Sequence, residues 1–500
     1  MAPADRDRRR VDVPPRAEHD RPRADPSGEA EARMADGTAG TDGTGGRGEG
    51  GRPRVVVIGG GFAGLATAGR LTKLVPHAEV VVVSATDYFL YLPLLPEVAT
   101  GVLDPRRVAV PLATALPGAT IVVGTVDAID LDGHTVGWTD PEGGRGETTW
   151  DRLVIAAGST NRLLPIPGIA EHAHGFRGVA EAVYLRDHIV RQLDIAASEH
   201  YPAERDARCT FVVVGAGYTG TEIAAQGVLF TDQLRAAHRS LRDQRVRWLL
   251  VDLAPRVLPE LSPRLSRTAD EVLRGRGVEV RTGISIEQAH ARGVRLTTGE
   301  EVPTRTVVWC VGVRPDPIVE GLGLATDKGR LVVDDHLRVP GRPDVLACGD
   351  IAAVPDRTRP GQLTAMTAQH AQRQGTLAGR NVAASLGVGD ARPYSHHDLG
   401  FVVELGGRDA AANPLGVPLS GLAATAVTRG YHLVAMPGNR IRVVVDWLLD
   451  AVLRRPAAQL GLVRGNAVPL GTRPADGHTV GDRDAVAEND TTAGSAGSRT

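Results

Sequence analysis

The sequence predicts an α/β protein built on doubly wound, parallel sheets, and three observations carry that prediction. The order strand, glycine-rich turn, helix, strand occurs twice, first from Arg54 and again from Thr210. Both leading strands, Val55 to Ile58 and Phe211 to Val214, are unbroken apolar runs, as parallel strands covered on both faces require. The chain has 500 residues, 42% of them hydrophobic, enough for a sizeable core in about three units.

Composition removes several classes. Lys and Arg number 57 against 59 Asp and Glu, so the basic surplus of a nucleic-acid binder is missing. Lys73 and Lys328 are the only lysines, a bias that reads as GC-rich codon use rather than phosphate recognition. Cys209, Cys310 and Cys348 are too few for a disulfide framework or a structural zinc site. No apolar run reaches the ~18 residues of a spanning helix.

Residues 1–53 contain no Leu, Ile or aromatic residue and pass from Arg/Asp/Glu/Pro into Gly/Thr-rich sequence. They bury too little apolar surface to offset their ordering entropy and are expected to be disordered. They lack the apolar centre of a signal peptide. The C-terminal stretch, 467–500, is read in the same way.

The first unit reads RVVVIGGGFAGLATAGRL, in which Gly59, Gly61 and Gly64 satisfy G-x-G-x-x-G between a strand and a small-residue helix. The first glycine permits the turn, the second lets a pyrophosphate approach the backbone, and the third lets the helix pack closely. The helix start offers N–H groups and a positive dipole end to phosphate. The next strand, AEVVVVSATDYF, carries Ser84 where such a site normally places an acid for the ribose, with Asp87 three residues on.

The second unit reads CTFVVVGAGYTGTEIAAQG, with Gly215, Gly217 and Gly220 in the same register. Its next strand ends at Asp252, where a carboxylate favours NAD over NADP by repelling a 2′-phosphate; nearby Arg256 opposes that preference. The interval from Gly220 to Asp252 exceeds the usual ~20 residues, and the surplus is assigned to a helix over 221–242. Two Rossmann-like fingerprints imply two dinucleotides, or a duplication with one dead copy; two ligands are favoured. Three further segments follow the same logic: Gly158 in WDRLVIAAGST, Gly312 in TVVWCVGVRPDP, and Gly349–Asp350 in RPDVLACGDIAAVP.

Fingerprint, AAG strand, fingerprint, VG-x-R-P strand and CGD strand, in that order, resemble the two-dinucleotide-domain flavoprotein reductases. The resemblance implies an FAD domain in two parts, 54–165 and 318–392, with an NAD(P)H domain, 166–317, inserted in it. It also places Gly349–Asp350 at the ribityl or pyrophosphate end of the flavin. No Cys-x₂-Cys or Cys-x₄-Cys pair exists, which removes the dithiol reductases, and Cys310 and Cys348 read as core residues.

YLPLLPEVATGVL (Tyr91 to Leu103), TAQHAQRQG (Thr367 to Gly375) and RGYHLVAMPGNRIRVVVDWLLDAVLRRP are similar to segments of type II NADH:quinone dehydrogenases. Gln369 matches that family's first quinone-site Gln, whereas Arg373 replaces the second; i, i+4 spacing puts both on one helix face. Arg373 retains hydrogen-bond donors for a quinone carbonyl, or marks a different acceptor. Glu222, by position alone an acid in the first turn of its helix, corresponds to a family residue at the junction of nicotinamide, flavin and quinone. There it is expected to act in proton or charge transfer. His370, His396 and His397 remain unassigned.

Residues 393–466 form a small C-terminal region. Within it RIRVVVDWLLDAVLRR places Arg442, Asp446, Asp450 and Arg454 on one face and Ile441, Val444, Val445, Leu448 and Val452 on another. Such a helix packs on a core or a dimer partner, or lies in a membrane interface; the resemblance favours the membrane. The expected protein is a non-proton-pumping flavoenzyme that uses FAD and NADH to reduce a membrane quinone of the menaquinone or ubiquinone type. It is expected on the cytoplasmic face of the cell membrane, as a peripheral protein, with homodimerisation left open and no nucleic-acid partner. Two other readings stay open: a soluble NAD(P)H reductase with another acceptor, favoured by Arg373 and Ser84, and a flavin- and NAD-binding redox sensor similar to apoptosis-inducing factor.

Overall fold

The computed structural model describes residues 51–470, except 397–398 and 456–457. Nearly all of both tails, and His397, lie outside the described residues.

Two parallel sheets form the frame. The first runs, edge to edge, Arg338–Val339, Arg342–Ala347, Arg152–Ile155, Arg54–Ile58, Glu79–Ser84 and Thr120–Val123. All neighbours are parallel except the first hairpin. The second is wholly parallel, in the order Glu279–Thr282, Arg247–Asp252, Thr210–Val214, Thr306–Trp309. In both, the fingerprint strand lies inside the sheet and is buried on both faces, as its unbroken valine run predicts.

Each unit also carries a three-stranded antiparallel meander, Thr125–Asp130 to Arg145–Thr149 and Ile286–His290 to Glu301–Pro303. The chain passes between the units on two adjacent strands, Ser159–Asn161 antiparallel to Val313–Pro315. Each follows a glycine with positive φ, Gly158 at +77° and Gly312 at +82°.

The helix after the second fingerprint spans Tyr218–Ala237, followed by a 3₁₀ turn at Arg239–Leu241. It therefore starts three residues earlier and stops sooner than the 221–242 span expected. The C-terminal region adds strands Val402–Glu404, Ala410–Ala412 and Leu419–Ser420 and the helices Gly421–Ala435 and Arg440–Val452. Leu470 packs in the core of the second unit.

The Arg440–Val452 helix faces opposite to an ordinary surface helix. Only Val443 and Trp447 are buried, while Ile441, Val445, Leu448, Leu449 and Val452 are exposed. The charged stripe is split. Asp446 turns inward to Arg107 at 2.9 Å and Asp450 pairs with Arg455 at 2.7 Å. The outward surface is thus apolar because the acids found arginine partners on the protein side.

A histidine pair, His188 buried and His174 half-buried, joins the Val179–Ser198 helix to the second sheet. The His174 and His188 rings are 4.5 Å apart, and His188 Nε2 bonds Thr306 Oγ1 at 2.9 Å. Burial holds His174 down to about 4 from 6.5 and His188 well below the usual range. The unfolded chain therefore binds protons that the native state does not as pH falls from 6.5 through about 4, and stability is lost across that window. Replacing His174 by Gln is expected to reduce that loss by on the order of 2 kcal/mol, measured by denaturant unfolding at neutral and at mildly acidic pH.

Candidate active site

Each fingerprint builds the same turn. Gly59 and Gly215 hold φ of +100° and +103°. A Cβ on Gly64 would lie 1.8 Å from the Gly59 carbonyl oxygen, and one on Gly220 equally close to that of Gly215, so both helices start in direct backbone contact with their turns. The middle glycines differ: a Cβ on Gly61 or Gly217 would meet no protein atom within 4 Å. Packing does not require glycine there, whereas close approach of a ligand to the backbone does. Gly61 and Gly217 are also the N-cap residues of Phe62–Leu74 and Tyr218–Ala237. Neither helix has a side-chain cap or an acid in its first turn. Both ends present backbone donors and positive dipoles to an anion.

At the ends of the second strands the two units diverge. Ser84 is buried, and its hydroxyl lies under Gly60, 2.7 Å from where a Cβ there would sit. Asp252 accepts the N–H of Ala216, inside the glycine turn, and that of Ala254 at 2.6 Å. Its carboxylate braces the turn it borders. Arg256 donates to the carbonyls of Pro259 at 2.7 Å and Leu261 at 3.0 Å, which directs its guanidinium to the local loop.

The Gly349–Asp350 turn meets the inter-unit crossing. Asp350 accepts the Ser159 hydroxyl at 2.6 Å, and Arg177 Nη2 donates to the same hydroxyl at 3.2 Å. The Glu181 carboxylate in turn accepts the N–H groups of Arg177 and Gly178. Gly349 N–H donates to Gln374 Oε1 at 2.8 Å. Arg177, Glu181 and Gln374 escaped the sequence reading. Gln374 lay inside TAQHAQRQG and was legible in principle, but nothing local marks Arg177 or Glu181.

Gln374 sits on the Ala368–Ser385 helix, which crosses the Phe62–Leu74 helix so closely that a Cβ on Gly375 would lie 2.1 Å from the Ala63 carbonyl oxygen. Gln369 and Arg373 lie on the N-terminal half of the same helix. Gln369 Nε2 donates to the Gly400 carbonyl at 3.3 Å, and its side chain also bonds Tyr431. Arg373 Nη1 pairs with the His396 ring at Nδ1. His370 Nδ1 pairs with the Tyr394 hydroxyl at 2.8 Å. Sequence spacing placed Gln369 and Arg373 on one face, but not their partners.

Glu222 is the fifth residue of its helix, beyond the first turn in which the dipole acts. The dipole-acid reading is corrected accordingly: Glu222 Oε1 accepts the Glu404 N–H at 3.0 Å. Protein surrounds the group although an edge stays accessible, and burial, followed by the Glu404 and Glu97 charges, pushes its carboxyl well above the usual range. The cysteines carry no redox pair. All three thiols are free, and burial pushes Cys310 and Cys348 up to about 12 and Cys209 up to about 11.

Two sheets, each ending its fingerprint strand in an uncapped glycine turn, have the build of a two-dinucleotide oxidoreductase. Residues 53–375 match the family described as pyridine nucleotide-disulphide oxidoreductase. The chain is 31% identical over 414 residues to the type II NADH:quinone oxidoreductase NdhA of Mycobacterium tuberculosis, covering 80% of this chain and 87% of that one. It is also 31% identical to the demethylphylloquinone reductase NdbB of Synechocystis, covering 79% and 96%. The structure of NDH2 from Plasmodium falciparum in complex with NADH superposes with a TM-score of 0.76 over 81% of this chain and 100% of that one; at 14% identity this speaks to fold. The chain belongs to the pyridine nucleotide-disulphide oxidoreductase family, and within it to the type II NADH:quinone oxidoreductases.

Proposed function

We propose that this protein oxidises NADH through bound FAD and passes the electrons to a quinone without pumping protons. The observation that carries the reading is the pair of turns in which Gly61 and Gly217 are free of protein contact, in a chain of this family. FAD supplies the hydride acceptance and electron transfer; the chain supplies binding and orientation.

In this reading the segments 54–165 and 318–392 hold FAD, and 166–317 hold NADH. Gly59, Gly61 and Gly64 take the flavin pyrophosphate, with Ser84 toward its ribose. Gly158 and the Gly349–Asp350 turn take the ribityl side. Asp350 is fixed there by Ser159 and Arg177. Gly215, Gly217 and Gly220 take the NADH pyrophosphate, Gly312 lines the nicotinamide side, and Asp252 repels a 2′-phosphate. Arg256, held by two carbonyls, is not positioned to counter it.

Gln369 and Arg373 hold the quinone head group, with Glu222 governing proton transfer beside it. The family's relatives are named for quinones, and a quinone of the menaquinone or ubiquinone type fits a rim of amide, guanidinium and Tyr431. Among the described residues no helix is long and apolar enough to cross a membrane. The outward apolar face of Arg440–Val452 is assigned to a lipid surface, on the cytoplasmic side where NADH is available. A second copy of this chain is the competing occupant of that face.

Replacing Gln369 by Ala is expected to leave anaerobic flavin bleaching by NADH unchanged and to slow reoxidation by added quinone by about tenfold or more, since it removes a head-group donor. Equal loss of both half-reactions would overturn the assignment. Wild-type protein that bleaches with NADH but is not reoxidised by quinone would overturn the proposed acceptor.

A further inference from the structure

Behind the candidate site lie two acids that the reaction described so far does not use. Glu97, on the short Leu95–Ala99 helix, and Glu404, at the end of Val402–Glu404, are 3% and 4% exposed. They share one neighbourhood with Glu222, which accepts the Glu404 N–H at 3.0 Å, and the charges of Glu97 and Glu404 both act on it. Glu97 Oε2 accepts Trp447 Nε1 at 2.7 Å. Glu404 Oε1 faces Arg429 Nη2 at 3.4 Å, while its Oε2 is buried with no hydrogen-bond partner among the described residues.

The cations nearby are few. Arg429 also lies 5.0 Å over the Trp447 ring. Arg276, the other cation acting on Glu404, is engaged with the Gly406 carbonyl at 2.8 Å and Asp409 at 2.7 Å. Asp450 adds further negative charge toward Glu97. Three interacting carboxylates, two of them buried and facing essentially one arginine, do not all ionise together. A buried carboxylate oxygen without a donor is costly, and a proton on the carboxyl removes much of that cost.

Quinone reduction has a use for such a proton. A quinone that gains a hydride equivalent still needs one proton to become a quinol, so NADH, one H⁺ and quinone give NAD⁺ and quinol. We propose that Glu404 and Glu97 form a buried proton reserve behind Glu222 that supplies this proton. Glu404 yields its proton to Glu222 as Glu222 gives one up, and the reserve refills from solvent. Glu404 and Glu97 act through Glu222 and are positioning residues; the inference rests on the function proposed above. Burial pushes all three carboxyls up; repulsion from Glu404 adds to this at Glu97 and Glu222, whereas Arg429 offsets part of it at Glu404.

The test uses the flavin-loaded full chain with Glu404→Gln, which keeps size and mimics the protonated acid, and Glu97→Gln as a second variant. Infrared spectroscopy of wild type at neutral pH is expected to show a protonated-carboxyl stretch that weakens in one or both variants. Quinone-dependent turnover should fall about tenfold in Glu404→Gln, within the range of a lost proton donor, with a steeper decline at alkaline pH. Because the folded carboxyl keeps a proton the unfolded one loses, wild-type stability should fall as pH rises through the raised value. The Glu404→Gln Tm should be flatter over the same range. No protonated-carboxyl band in wild type, or turnover and pH profile unchanged in both variants, overturns the proposal. A wild type with the band present but no quinone turnover overturns the function instead.

Discussion

Replacing Gly61 by valine is expected to give a folded protein that purifies without flavin. Gly61 has φ of −75° and ψ of −165°, extended backbone open to any residue, and a Cβ there meets no protein atom. The apoprotein therefore loses little, and its Tm should stay within a few degrees of apo wild type. The branched side chain instead stands where a pyrophosphate must approach the N–H groups of Phe62–Leu74. Flavin retention should weaken on the order of 100-fold, the equivalent of about 3 kcal/mol. Gly64→Ala is the necessary contrast. Its Cβ would lie 1.8 Å from the Gly59 oxygen, so the turn itself must open and the apoprotein should lose stability as well, by about 1–3 kcal/mol. Absorbance of bound flavin and thermal unfolding of the apo forms separate the two. A yellow Gly61→Val protein with wild-type flavin content would remove the first turn from the FAD site.

Replacing Ile441, Leu448 and Val452 together by aspartate is expected to release the protein from lipid vesicles without unfolding it. These side chains are 81%, 64% and 78% exposed, so the fold gains little from them, while Val443 and Trp447 hold the helix to the protein. In contact with lipid each contributes roughly 1.5–3 kcal/mol of burial. Losing three and adding charge should cut partitioning by about a thousandfold or more. Flotation with vesicles of mixed zwitterionic and anionic lipid reads the effect, and flavin reduction by NADH confirms that the fold survives. Unchanged flotation would overturn the membrane assignment. A wild type that does not float but changes from dimer to monomer on substitution would assign the face to a second copy.

Much of the fold was legible because its signals are local. Val55 to Ile58 and Phe211 to Val214 are apolar without alternation, and only a parallel strand covered on both faces uses such a run. The glycine spacing encodes a turn whose atoms lie within six residues of one another. The missing cysteine pair was equally plain, and all three cysteines are free thiols. The C-terminal helix was half legible. Its i, i+4 stripes followed from period, but not that Asp446 and Asp450 would point inward, because Arg107 and Arg455 were not known to face them.

The candidate site divides along the same line. The sequence by itself determined the paired glycine turns, the strand ends at Ser84 and Asp252, and the face shared by Gln369 and Arg373, since each depends on neighbours in the chain. Only the tertiary structure decided that Arg373 meets His396, that Gln374 ties its helix to Gly349, and that Arg177 reaches Ser159 beside Asp350. It alone brought Glu97, Glu222 and Glu404 into one interacting group from three distant segments. Periodicity fixes which residues share a face, whereas burial, charge and the proton a group keeps depend on which faces pack together.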